Sequence, residues 1–143
     1  MIKAYMSHPI RGALKDKATQ HDMECNCNAA MEIAERIRLY MSVNYPKADF
    51  NLYVPAEHES FVSRAYRYGM LTVQQILHID CKIIEEDCSD LLLIYAPFGP
   101  PVEGCHTELV HARKRDIPVL IFEDLAEFKD KMEAYLEARE IYE

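Results

Sequence analysis

The run Leu91-Leu92-Leu93-Ile94-Tyr95 constrains this chain more than any other feature. An apolar stretch with no polar alternation makes a strand with water on neither face, and such strands belong to parallel sheets covered by helices on both sides. Residues 2–6 and 118–122 read as further short strands, and Leu52-Tyr53-Val54 as another, stopped by Pro55. Between them the apolar residues recur with a helical period. Ala30, Ile33, Ala34, Ile37 and Met41 fall on one face, and Pro46 closes that unit. Helix is expected over residues 60–87 with a break near Gly69, again from Gly104 to about Arg115, and finally along Leu125, Phe128, Met132, Tyr135 and Leu136. Residues 13–26 show no clear period and read as a long polar loop.

Strands alternating with helices predict one α/β domain over residues 1–143, with four to five parallel strands and helices on both faces. Right-handed crossovers favour the doubly wound, flavodoxin-like strand order 2-1-3-4. In that order the chain reverses between strands 1 and 3, and ligands bind beyond the carboxyl ends of the strands at the reversal. The segment from Ser7 to Gly12 and the segment from Ala96 to Glu108 are therefore expected to meet there.

The chain carries a formal net charge of −8, which argues against nucleic acid as the main partner, because a polyanion needs a basic face. No apolar run has the length of a membrane span, and the first residues are too polar for a leader. Five cysteines, an odd number, fit reduced thiols in a cytoplasmic protein. Cys25 and Cys27 form a C-x-C with no second pair, a poor zinc framework. His106, His111 and Cys105 would make a weak metal set, since the two histidines, five residues apart, point to different faces of a helix. His21, His58 and His78 read as ordinary loop or surface residues.

Three features carry possible chemistry. Asp80 lies in a stripe with Val73, Ile76, Leu77, Ile83 and Ile84, which directs a carboxylate along a buried face; a stripe that drifts outward would make it a surface residue instead. Glu108 follows Gly104 by four residues after a proline-rich loop at the reversal. Complementing a helix dipole is its plain explanation, while a glycine that admits a ligand to the backbone makes it a site residue. The stretch Tyr5-Met6-Ser7-His8-Pro9-Ile10-Arg11-Gly12 offers loop amides, a hydroxyl and a guanidinium that together can hold a phosphate. It matches neither G-x-x-x-x-G-K nor G-x-G-x-x-G, and a simple strand-to-loop turn would also account for it.

Taken together, Tyr5-x-x-x-x-Ile10-Arg11-Gly12, the helical Asp80, the strand beginning at Asp90 and Gly104-x-x-x-Glu108 resemble the nucleoside 2-deoxyribosyltransferase family, in its 2'-deoxynucleoside 5'-phosphate N-hydrolase branch. The resemblance implies Glu108 as nucleophile, Asp80 as its carboxylate partner near the base, and Tyr5 orienting the nucleophile or the sugar. It also implies that Ser7, His8, Ile10, Arg11 and Gly12 line the 5'-phosphate loop, with Gly104 beside the substrate. The ligand would be a nucleoside or nucleotide, no metal or other cofactor would be needed, and the protein would form a homo-oligomer, a dimer. Tyr135, Leu136, Ile141 and Tyr142 are candidate interface groups. Three positions depart from the family. Asp80 and Asp90 stand further apart than its paired aspartates, Val102 replaces a phosphate-contacting serine, and His8 stands where many members have glycine.

The expected reaction is cleavage of an N-glycosidic bond through a glycosyl-Glu108 intermediate, with retention. Transfer of the sugar to a second base is the alternative, and a nucleotide sensor without catalysis is the alternative of another class. A cytokinin-type phosphoribohydrolase reading ranks lower, because Pro100-Pro101-Val102-Glu103-Gly104 lacks paired glycines.

Overall fold

Four parallel strands form the centre of the computed structural model, which describes residues 1–142. They are β1 (Ile2–Ser7), β2 (Phe50–Tyr53), β3 (Leu91–Tyr95) and β4 (Val119–Phe122), hydrogen-bonded in the order β2-β1-β3-β4. Five helices connect and cover them: α1 (Gln20–Asn44), α2 (Glu59–Arg67), α3 (Val73–Glu86), α4 (Glu103–Lys114) and α5 (Leu125–Ala138). The fold is the flavodoxin-like α/β arrangement expected from the alternation of elements.

The alternation of side chains along β1 and β3 sorts the molecule into two cores. Ile2, Ala4 and Met6, with Leu91 and Leu93, face α1 and α5, meeting Ala30, Ala34, Ile37, Met41, Phe128, Met132 and Leu136. Tyr5, with Leu92 and Ile94, faces the opposite layer, where Ile84 of α3 and Leu109 and Ala112 of α4 pack. Small residues at Ala30 and Ala34 leave room for the sheet beneath α1.

Several boundaries differ from the sequence reading, each for a local reason. Residues 13–26 are not a loop: Gly12–Lys17 is a 3-10 turn, and α1 begins at Gln20. Thr19 caps that helix in a reciprocal box, its hydroxyl accepting from the Asp22 amide while Asp22 accepts from the Thr19 amide. The first turns of α1 are polar and half-exposed, so no apolar period marks them. The stretch 60–87 is two helices, with Thr72 and Gln75 forming a second capping box at the start of α3. Gly69, at φ +70, sits in the break. β2 begins at Phe50 and ends at Tyr53, one residue short of Val54, and β4 begins at Val119, one residue after Pro118.

The C-terminal residues named as interface candidates mostly belong elsewhere. Leu136 is fully buried in the α1/α5 core, and Ile141 packs partly buried against it. Tyr135 donates its hydroxyl to the Asp90 carbonyl at 3.1 Å. Only Tyr142 is exposed.

Two devices set the spacing of α3 and α4, the helices that carry Asp80 and Glu108. A side chain at Gly104 would bring a Cβ within 3.2 Å of Leu77 Cδ2, so glycine allows the close approach. At the other end Glu85 of α3 binds Lys82 at 2.8 Å, His111 at 3.2 Å and Arg115 at 2.9 Å, two of these partners reaching across from the end of α4.

The loop after β1 is held from below. Asn26 of α1 donates its side-chain amide to the Ile10 carbonyl at 2.9 Å, and Gly12 turns the chain at φ +63. A Cβ at Gly12 would lie 2.6 Å from Asn26 Nδ2 and 3.1 Å from Phe98 Cε2. Gly12→Ala is therefore expected to break the Asn26 bond and to cost about 1–3 kcal/mol of stability. Urea denaturation checks this; an unchanged midpoint would show that the loop does not need the left-handed turn.

Candidate active site

β1 and β3 end side by side, Ser7 pairing with Ile94, and the loops that follow open at the chain reversal. Tyr5 and Ser7 are two residues apart on β1 and so share the face turned toward α3 and α4. Glu108, in the second turn of α4, lies beneath the same layer and is only 6% exposed. Ser7 Oγ is 2.9 Å from Glu108 Oε1 and 3.1 Å from Cys105 Sγ. Glu108 Oε2 and Tyr5 Oη are buried and lie outside hydrogen-bond geometry with any described residue. The phenol is nevertheless close enough to Glu108 and to Asp80 to pull both carboxyls toward ionisation.

Burial dominates the electrostatics. It pushes the Glu108 carboxyl up to about 7, helped by the charge of Asp80 and opposed by Tyr5 and Ser7. Burial raises Asp80 to about 6, with Glu59 at the start of α2 adding repulsion. Glu59 itself is raised by burial. Tyr5 is held well above the ordinary phenol range by burial and then by the two nearby carboxylates, so its proton stays. No cation is among the groups that perturb Glu108 or Asp80. Two carboxyls this close in a poorly solvated place do not both ionise readily.

The structure thus brings together Tyr5, Ser7, Asp80 and Glu108. The remaining candidates occupy other places. His8 is buried, with Nε2 3.7 Å from Cys27 Sγ of α1, and burial lowers it to about 4, so it is neutral at ordinary pH. Ile10 packs against the α1/α5 core. Arg11 is exposed and makes no ion pair with a described residue. Gly12 forms the turn, and Gly104 admits Leu77. His106 is exposed while His111 binds Glu85. Among the described residues no group of three or more His, Cys, Asp or Glu is placed to hold a metal ion. All five cysteines are free.

Four neighbours escaped the sequence reading as site residues. Cys105 touches Ser7, and Glu59 faces Asp80. Tyr53 stacks on Tyr5 at 5.6 Å and on His58 at 5.1 Å, so an aromatic ladder leads from the site to the surface. Asn26 anchors the loop. For Cys105 a signal existed, since it stands three residues before Glu108 on the same helix face; the others depend on contacts distant in sequence. A cavity of about 210 Å³ opens beside the site, lined by Pro9, Gly12, Ala96, Phe98, Pro101 and Cys105 among others. Apolar walls with few polar groups suit a small organic ligand.

Fold and site define a single α/β domain with a cavity at its chain reversal and, beside it, a carboxyl cluster in which Glu108 is buried and Asp80 partly buried. The chain matches no known family model, no curated protein and no solved structure. No helix among the described residues is long and apolar enough to cross a membrane.

The raised Glu108 carboxyl has a consequence for stability. Its folded pKa, about 7, lies above the ordinary 4.5. Between these values the folded protein keeps a proton that the unfolded chain releases, so stability falls as pH rises through that window. Glu108→Gln removes the ionisation. The variant should match wild type near pH 4 and exceed it at pH 8 by on the order of 2 kcal/mol. Thermal unfolding across that range checks it, and a difference that does not change with pH would mean that the carboxyl is not raised.

Proposed function

We propose that this protein hydrolyses the N-glycosidic bond of a (deoxy)nucleoside 5'-monophosphate, with Glu108 as nucleophile and Asp80 as proton donor to the leaving base. The observation that carries this reading is the pair of carboxyls, Glu108 buried and Asp80 partly buried, beside Tyr5 and without a cation. Glycosidic cleavage builds positive charge on the sugar ring, and a site whose nearby charges are all negative favours that state.

Burial raises both carboxyls, so the pair holds one shared proton more readily than it loses both. The nucleophilic form has that proton on Asp80 and the charge on Glu108. Tyr5 neighbours both carboxyls and keeps its own proton. Positive charge growing on the sugar then stabilises the Glu108 anion. Glu108 Oε2 bonds to the anomeric carbon as the carbon–nitrogen bond breaks, and the leaving base takes the proton from Asp80. Water next attacks the same carbon and frees the Glu108 carboxylate, and its proton passes to Asp80. A second base in place of water would make the protein a base transferase. No cofactor enters the scheme.

Arg11 supports a phosphate on the substrate: it is exposed, free of ion pairs with described residues, and carried by the loop that lines the cavity. A guanidinium contacts two phosphate oxygens in one plane. The net charge of −8 speaks for a small ligand rather than nucleic acid.

Incubation with nucleosides and their 5'-monophosphates, resolving free base chromatographically, tests the proposal. Base release is expected, and it should survive chelation. Glu108→Ala should lower it by several orders of magnitude, Asp80→Asn by less, and Arg11→Ala by about tenfold to a hundredfold for monophosphates alone. Nucleotide binding without release would favour a sensor, and a Glu108→Ala variant within about threefold of wild type would remove the mechanism.

We also propose a homodimer. α2 is nine residues long and has no buried residue, so it lacks the packing that stabilises a short helix. Phe61 on it and Tyr68 and Met70 just after it are about three-quarters exposed (76%, 74% and 75%), and Val73 and Ile79 of α3 are also exposed. A two-fold pairing covers the same face on both copies at once. Light scattering at micromolar concentration should give twice the chain mass, and Phe61→Glu with Met70→Glu should halve it. A monomeric wild type would overturn the proposal.

A further inference from the structure

The two oxygens of Glu108 are treated differently. Oε1 is 2.9 Å from Ser7 Oγ, while Oε2 has no hydrogen-bond partner among the described residues. Ser7 is 1% exposed and has a single hydroxyl proton, yet it lies within reach of both Glu108 and Cys105 Sγ, the latter at 3.1 Å. When Glu108 is ionised it can only accept, so the Ser7 proton goes to Oε1, the stronger charge-assisted bond. Ser7 Oγ is then an acceptor facing a thiol. Burial pushes that thiol up to about 12, so Cys105 keeps its proton and donates it. The bonds therefore run one way, from Cys105 S–H to Ser7 O–H to Glu108 Oε1.

We propose that Cys105 and Ser7 are positioning residues, a hydrogen-bond relay that fixes Glu108 by Oε1 and leaves Oε2 as the oxygen that reacts. The identity of the reaction rests on the glycosidic reading above, whereas the relay belongs to the ligand-free protein. An anchored oxygen holds the carboxylate in one rotamer, and the free one keeps its lone pairs for attack. The other titratable groups facing Glu108 are Tyr5 from β1 and Asp80 and Cys81 from α3; none is cationic. Tyr5 and, after it, the Ser7 end of the relay support the Glu108 anion. Cys105, buried and protonated, acts as a donor and not as a rival nucleophile.

The relay can be tested without substrate. The carboxyl of Glu108 is followed by carbon-13 NMR of glutamate-labelled full-length protein, with its signal assigned from Glu108→Gln. Ser7→Ala should move the titration midpoint upward by about one pH unit, and Ser7→Thr, which keeps a hydroxyl, should restore it. Cys105→Ala should move it upward by roughly half as much, and Cys105→Ser should return it to within about 0.2 units of wild type. Circular dichroism confirms that each variant is folded, and the Cys105 pair decides the matter if Ser7→Ala is not. A folded Ser7→Ala protein with an unmoved midpoint overturns the relay; a response to Ser7 but not to Cys105 removes Cys105 from it. If base release is found, Ser7→Ala should lower kcat with little change in KM, and Ser7→Thr should recover it. Shifted midpoints with no base release from any nucleotide would leave the relay standing and the glycosidic reading refuted, while base release with unmoved midpoints would refute the relay alone.

Discussion

β1 from Ala4 to Ser7 and β3 from Leu91 to Ile94 are buried on both faces, and most of the structure follows from that. A strand buried on both sides must supply two cores at once, which it does by alternation. Ile2, Ala4 and Met6 turn to α1 and α5, while Tyr5 and Ser7 turn to α3 and α4. The same geometry brings the carboxyl ends of β1 and β3 together, with Ser7 beside Ile94. A one-residue slip of β1 would send Tyr5 and Ser7 to the wrong layer and expose the α1 face to a phenol and a hydroxyl. Register and site are thus one constraint.

Within that frame the pair of carboxyls is held against its own electrostatics. Glu108 and Asp80 are both raised by burial, and no basic group neutralises them. Such an arrangement weakens the fold above neutral pH and persists because the surrounding packing is strong enough to impose it. Gly104 lets α4 approach Leu77, and Glu85 gathers Lys82, His111 and Arg115 at the far end of the two helices. The carboxyls are therefore set at a fixed separation by contacts that lie away from them. Above them the loop from His8 to Gly12 is tied to α1 through Asn26 and His8, which leaves Arg11 as its free charge toward solvent.

The helix boundaries show where sequence patterns lose their force. The apolar period read for α1 starts only at Ala30, and its first buried residue is Cys27, because its first turns are polar and exposed or half-exposed. The Thr19-x-x-Asp22 box would have located its start, just as Thr72-x-x-Gln75 marks α3. Capping is a local signal and was readable. The burial of His8 against Cys27 and the stacking of Tyr53 on Tyr5 were not, because each joins residues far apart in the chain.

By itself the sequence determined the layers, the strand order and the segments that meet at the chain reversal, since apolar periodicity, proline and glycine placement and crossover handedness are local or nearly local properties. It also pointed to Tyr5, Asp80 and Glu108. Only the tertiary structure decided how those groups behave. Whether a carboxyl keeps its proton depends on how much water surrounds it and which charges stand near, and both are set by α3, α4 and β1 packing together. The partners of Ser7, 98 and 101 residues away in the chain, were decided at the same step, when two helices closed on the same face of one strand.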